Sequence, residues 1–432
     1  MNILEIKFCT HIKKKITKTL YLIIFSSLIA LSCQTTQSTT KVLNNNSNIE
    51  KTLSDFPITK TEFEENEEIR VGLLLPMKGQ NYRIGKSLLN AIHLALYKTQ
   101  NKNIKIFVRD TSSIEGVTKS YYEFLDLNID IILGPVFSDK VNELKSLSSG
   151  NKIQTITFSN NLNIANENIF ISGLTLKDEI KSIINYAENN NLKKFAIIAP
   201  ENIYGNTVIQ HFEYSTLNKD ISILSKVFFD PKNPNFYEVA KLISDYDNRS
   251  QNLLDKIELL KKENTEKSKK EIKVLQRNDT YGDLKFDSLY IAVESFQQLS
   301  LLSSTLPYYD VDPKKIQYFG TSLWNKDAII KEPGLDNSIF VSLEKDKTKI
   351  FNDLYQTLYN EVPHPIAIYG FDAVGIISSL NNQNLRINKE NILTEMGFSG
   401  LTGMFKFNED GVVERKLALY RIKNEKIIKI KN

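Results

Sequence analysis

Cysteine is almost missing from this chain: Cys9 and Cys33 are the two among 432 residues. Both lie near the start, so the rest of the sequence offers no thiol for a disulfide, a cysteine-based zinc site or a nucleophile. Histidine is nearly as scarce, with four residues. His93, His211 and His364 stand alone, without a His-Glu-x-x-His string, a phosphate loop or a nucleophile elbow nearby, so metal and acyl chemistry find no motif and surface or structural roles are the default. No excess of one charge exists either. Lysine and arginine number 55 against 51 acids, a formal net charge of +4, and no basic face interleaved with aromatics stands out, which excludes nucleic acid as an expected partner. Hydrophobic residues make up 41%, enough at this length to bury a large core divided between two lobes.

The amino terminus carries an address. Lys7, Lys13, Lys14, Lys15 and Lys18 precede an apolar run over residues 20–31, the layout of a secretory signal peptide and shorter than the roughly 20 residues of a membrane span. Leu28-Ile29-Ala30-Leu31-Ser32-Cys33 resembles a bacterial lipobox, although Ala30 stands where the pattern places leucine. The resemblance implies a signal peptide over 1–32, a lipid on Cys33 and loss of Cys9. Gln34, where the sorting pattern would carry aspartate for inner-membrane retention, points to the outer membrane. Residues 33–66 are too polar to form a core and read as a flexible tether. The alternative is an uncleaved anchor or an ordinary buried cysteine.

The folded part is organised around residues 69–99. Ile69-Arg70-Val71-Gly72-Leu73-Leu74-Leu75 is a short apolar run of the kind buried on both faces of a parallel sheet, and Pro76 stops it. After a polar, glycine-containing loop, Leu88, Ile92, Ala95, Leu96 and Thr99 mark one helical face, with Lys86, Asn90, His93 and Tyr97 opposite. A strand, loop and covering helix begin an α/β sheet, whose ligand crevice borders the carboxyl ends of the strands; residues 77–85 are therefore the first candidate site. Further strands over 104–110, 129–133 and 153–158 alternate with helices, which favours a parallel sheet. Near Gly173 the pattern restarts, with strands over 194–199, 221–229, 287–293, 316–320 and 339–343. The stretch 245–280 breaks the rhythm as a charged helical insertion, either a solvated face or a projecting pair that meets a partner. The end, after Gly400-Leu401-Thr402-Gly403, reads as antiparallel strands.

These segments together resemble the type I periplasmic binding protein fold, and most of all the bacterial penicillin-binding protein activator family. The resemblance rests on Val71-Gly72-Leu73-Leu74-Leu75-Pro76 with Gly79 and Gly85, Ile132-Leu133-Gly134-Pro135-Val136-Phe137-Ser138, Tyr369-Gly370-Phe371-Asp372-Ala373, and Gly400-Leu401-Thr402-Gly403 with Asp410-Gly411. It implies a two-lobed α/β domain over 67–432. Lobe I would combine 67–174 with 344–397, and lobe II 175–343 with 398–432, joined by three hinge crossovers.

The same resemblance maps a ligand cleft: Lys78, Tyr82, Ser138, Ser159 and Asn160 from one lobe, Tyr204 and Glu294 from the other. Hydroxyls and N–H groups would hold a carboxylate, and an acid would meet an ammonium group. Each has a second reading: Ser138 and Ser159 as helix caps, Tyr204 as packing between lobes, Glu294 as a helix-start carboxylate. Lys78 replaces the small hydroxyl residue of many ligand-binding relatives. Ser149-Gly150-Asn151-Lys152 matches the Ser-x-x-Lys string of penicillin-interacting enzymes, but falls in a polar turn without its partner motifs. The expectation is a non-enzymatic envelope lipoprotein, without cofactor or metal, that binds a penicillin-binding protein. The alternative is a solute receptor for an ABC permease that takes an amino acid or small amide. A weaker third reading is a sensor of wall fragments.

Overall fold

The computed structural model describes residues 68–147 and 153–430; the signal segment, Cys33, the tether and the 149–152 string lie outside them. From Ile69 onward strand and helix alternate: β1 (Ile69–Leu75), α1 (Tyr82–Thr99), β2 (Ile104–Asp110), α2 (Ile114–Asp126), β3 (Ile131–Leu133), α3 (Ser138–Leu147), β4 (Gln154–Thr157) and β5 (Ile169–Ile171). Strand β1 coincides with the apolar run, and its last five residues are buried. These strands form one sheet in the order β2-β1-β3-β4-β5, every pair parallel. Helix α1 buries Leu88, Ile92 and Ala95 as its periodicity requires, while His93 and Tyr97 face outward. The other face of the sheet is covered by α2 and α3 through Val117, Tyr121, Phe124 and Leu144, packed on Leu74 and Ile132.

The chain then leaves this sheet and repeats the design. It continues as α4 (Leu176–Asn189), β6 (Lys194–Pro200), α5 (Ile203–Thr216), β7 (Ser222–Phe229), α6 (Phe236–Ile243), α7 (Tyr246–Glu263), α8 (Glu266–Leu275), β8 (Ser288–Ile291), α9 (Phe296–Thr305), β9 (Gln317–Gly320) and β10 (Ile339–Ser342). The strand order is β7-β6-β8-β9-β10, again all parallel. That is the order of the first sheet with each number raised by five. Two apolar layers cover its faces: Ile180, Ile183, Ile184 and Phe212 on one side, Phe236, Leu299, Leu302 and Trp324 on the other. The charged insertion is the pair α7 and α8, which closes a small core of its own from Leu253, Leu260 and Leu275.

Helices α10 (Lys345–Tyr359) and α11 (Ala367–Asn382) return to the first sheet and lie along α1. Gly370 permits that approach, because a Cβ there would come within 3.1 Å of Leu88 and 3.3 Å of Ile92. After α12 (Lys389–Ile392), β11 (Phe398–Gly400), β12 (Gly403–Phe407) and β13 (Val413–Arg415) make a separate antiparallel sheet. It touches β5 through the Ile171–Val412 bridge and the Phe170–Phe407 ring contact. Only β14 (Ala418–Lys423) and β15 (Lys426–Lys429) complete the second sheet, antiparallel beside β10. The chain thus passes between sheets three times: at 172–175, at 343–344 and at 416–417.

Candidate functional site

In the parallel part of each of these two sheets the strand order reverses once, between β1 and β3 in the first and between β6 and β8 in the second. Helices on either side of such a point diverge and leave a crevice outside the carboxyl ends of the strands. Every expected ligand residue lies on a loop or helix start that follows a strand at these ends.

In the first lobe the loop after β1 is tied to the loop after β2. The Met77 N–H donates to Asp110 Oδ1 at 2.8 Å, the Lys78 N–H donates to Ser112 Oγ at 3.0 Å, and Ser112 Oγ donates to Asp110 at 2.5 Å. The Lys78 ammonium is exposed and 3.6 Å from Asp110 Oδ2. Burial pushes the Asp110 carboxyl up, but the hydroxyl and N–H groups of Ser112, the Met77 N–H and the Lys78 charge outweigh it and hold the group below its usual range. Tyr82 opens α1 and is 46% exposed.

Across the reversal, the loop after β3 is tied instead to the loop after β4. Ser138, first residue of α3, lies 3.2 Å from the Ser159 hydroxyl. Ser159 is buried, accepts from the Asn161 N–H at 3.2 Å and is followed by exposed Asn160. Among the described residues no hydrogen bond or ion pair joins the 76–85 loop to the 134–140 loop, so the crevice between them is free of polar bridges.

The second lobe treats the same place differently. Asn202 caps α5 by accepting from the Gly205 N–H at 3.0 Å, and its amide donates to Glu294 Oε1 at 3.0 Å. That bond spans the loops after β6 and β8, directly over the reversal. Glu294 is exposed and immediately precedes Ser295, the cap of α9. Tyr204 is half-buried; burial, then the charges of Glu179 and Glu294, push its phenol well above the normal range, while a hydrogen bond with Thr321 opposes this. The structure therefore gathers Lys78 with Asp110 and Ser112, Ser138 with Ser159, and Tyr204 with Glu294.

Where the chain crosses between sheets lies a buried polar cluster that periodicity did not disclose. Asp372 of α11 accepts from the Leu401 N–H at 2.8 Å, the Thr402 N–H at 2.9 Å and the Thr402 hydroxyl at 2.5 Å. The Arg415 guanidinium donates to that hydroxyl at 3.1 Å and to the carbonyl of Ser172 at 3.1 Å, and stands over the rings of Tyr369 and Phe405. Two of the motifs that carried the sequence resemblance thus meet each other. A Cβ on Gly400 would collide with the Asp372 carboxylate.

Glu179, in the first turn of α4, accepts from the Ser322 hydroxyl at 2.5 Å. Burial raises its carboxyl to about 7 against the Ser322 hydrogen bonds, with a further push from Asp178. Asp178 is raised to about 6 by burial, opposed by Thr175 and Arg415. Tyr369 is pushed up to about 12 by burial, with Arg415 pulling down and Glu179 pushing further up. Adjacent acids at a helix start are ordinary in sequence, and nothing in the pattern signalled that these two are covered.

The model of the LppC putative lipoprotein family matches residues 51–322. Among solved structures, a putative branched-chain amino acid ABC transporter protein from Rhodospirillum rubrum superposes with a TM-score of 0.67 at 15% identity, over 84% of this chain and 100% of that one. The carboxy-terminal domain of LpoA from Haemophilus influenzae, a regulator of PBP1A, superposes with a TM-score of 0.58 at 17% identity, over 84% of this chain and all of that domain. At such identities these likenesses show the fold, that of the type I periplasmic binding proteins. An uncharacterized protein from Rickettsia prowazekii is 27% identical over 176 residues, 41% of this chain. The match spans 47% of that curated relative, about half its length. With well over half of its residues inside the family model, the chain belongs to the LppC putative lipoprotein family.

Proposed function

We propose that this protein is an envelope lipoprotein, anchored by Cys33 in the outer membrane, that regulates a peptidoglycan synthase by binding it and has no catalytic role of its own. The observation that carries the reading is the family membership over 51–322 together with a fold that matches the LpoA carboxy-terminal domain along its whole length. The lipobox-like string and the polar stretch expected as a tether fit it: a flexible linker of about 30 residues would reach on the order of 30 Å and further when stretched. The crevice fits it too. Two of the residues that would meet an amino-acid ligand already have partners, since Glu294 accepts from Asn202 and Lys78 sits by Asp110.

The test is a purified penicillin-binding synthase polymerising glycan with and without this protein. Faster polymerisation, with co-purification of the pair from membranes, is expected. Unchanged synthesis, no synthase in the pull-down and calorimetric binding of a free amino acid would overturn the proposal in favour of the receptor.

A further inference from the structure

A groove of about 750 Å³ lies away from both crevices, between the outward face of α4 and the strands β12, β13 and β14. That volume falls within the usual range for ligand sites. Three features give it a chemical character.

Its rim carries three exposed lysines, Lys181, Lys406 and Lys416, with Glu414 as the acid set among them. None of the three has a carboxylate within ion-pair distance among the described residues. Its apolar wall includes Met396, 88% exposed, and Met404, 49% exposed. The whole chain has four methionines, and two of them face this groove. Exposed methionine offers a flexible, polarisable surface that adapts to varied side chains. Third, Asp178 lines the groove at 4% exposure, with the Thr175 hydroxyl and the Arg415 N–H acting on its carboxylate, so the charge open to a ligand is mainly that of the lysines.

We infer that this groove binds a short acidic segment of a partner protein, in extended form, with an aliphatic side chain against Met396 and Met404 and carboxylates on the three lysines. Such a segment supplies each complement at once. A cationic peptide would meet the lysines with like charge, and a purely apolar one would leave three ammonium groups without partners. The inference goes beyond the proposed function, since it concerns a separate site and requires no ligand in either crevice.

The test selects binders to the purified chain from a random dodecapeptide display library and measures them by fluorescence anisotropy. Enrichment of peptides with aspartate or glutamate flanking an aliphatic residue is expected. Their affinity should fall at least tenfold for the triple variant K181E/K406E/K416E and severalfold for Met404→Ala. These residues are exposed, so the melting temperature of the variants checks that the fold is kept. A basic or uncharged consensus, the absence of any enriched peptide, or acidic peptides that bind the triple variant unchanged would overturn the proposal. So would sedimentation showing a self-associating wild-type chain that the triple variant renders monomeric, which would make the occupant a second copy.

Discussion

The two lobes share one strand order, and each has a proline at or just past the end of its first strand with a helix glycine seated on that proline's carbonyl oxygen: Pro76 with Gly85, and Pro200 with Gly205. Their crevices nevertheless differ. In the first, polar bonds run outward from the reversal, β1 loop to β2 loop and β3 loop to β4 loop, and leave its centre unbridged. In the second, Asn202 and Glu294 join across it. The carboxyls differ in the same sense: Asp110 is held low by donors at an accessible edge, and Glu179 is held high by burial. One backbone plan thus supports an open polar mouth and a closed one. What separates them is where the loop side chains find partners, not the sheet beneath.

The two mouths keep their places only while the crossovers hold, so replacement of Asp372 should cost the most. Replacing it by alanine strands two backbone N–H groups, the Thr402 hydroxyl and the nearby Arg415 charge in a buried site, at a cost of about 3 kcal/mol or more in urea unfolding. Asp372→Asn, which keeps the acceptor oxygen, is expected to lose less. Equal stability of the alanine variant and wild type would show that the crossover cluster does not hold the lobes in register.

Next comes the opposite pH response of the two carboxyls. The Glu179 pKa is raised from 4.5 to about 7 in the fold. The folded state therefore binds more protons than the unfolded state between those values, and stability falls as pH rises through that window, by on the order of 3 kcal/mol at ~1.4 kcal/mol per unit. Asp178, raised from 3.8 to about 6, adds in the same direction. Asp110 has the reverse sign: its contribution is present above its unfolded pKa and is lost as pH falls through its lowered folded value. Chemical unfolding from pH 4.5 to 8 should show declining stability in wild type and a flatter profile in Glu179→Gln. Parallel profiles would mean that Glu179 is not buried as a neutral acid.

A smaller effect addresses the bridge itself. Asn202→Ala removes both the cap of α5 and the bond to Glu294, and should cost about 1 kcal/mol, mostly from the cap. Asn202→Ser keeps a capping oxygen while it loses the reach to Glu294, so it should recover most of that stability. Hydrogen exchange at the start of α5 would then separate capping from bridging.

Much of the fold was legible because its signals are local. The run at 69–75 and the helix face of Leu88, Ile92 and Ala95 are each written within a dozen residues, and both coincide with observed elements. Strand β5 escaped because Ile169-Phe170-Ile171 is too short to show a period. The crevice residues were reachable by position, since they follow strand ends; their partners Asp110, Ser112 and Asn202 were not, because each choice depends on which neighbouring loop is nearest. The crossover cluster was least legible. Asp372 and Thr402 were each noted within separate motifs 30 residues apart, and only the third dimension makes one the acceptor of the other.

The least change is expected at the residue that most distinguished this crevice in sequence. Lys78 is mostly exposed, and its ammonium meets Asp110 at 3.6 Å. A pair of that kind is screened by water and salt, so Lys78→Ala should change stability by no more than about 0.5 kcal/mol. The loop keeps its place in the variant because it is the Lys78 backbone, not the side chain, that bonds to Ser112. Ser112→Ala should therefore disturb the first crevice more than Lys78→Ala does, as measured by hydrogen exchange over 77–82. The reverse order would mean that the ammonium organises this mouth, and the contrast between the lobes would then rest on one surface charge instead of on backbone bonds.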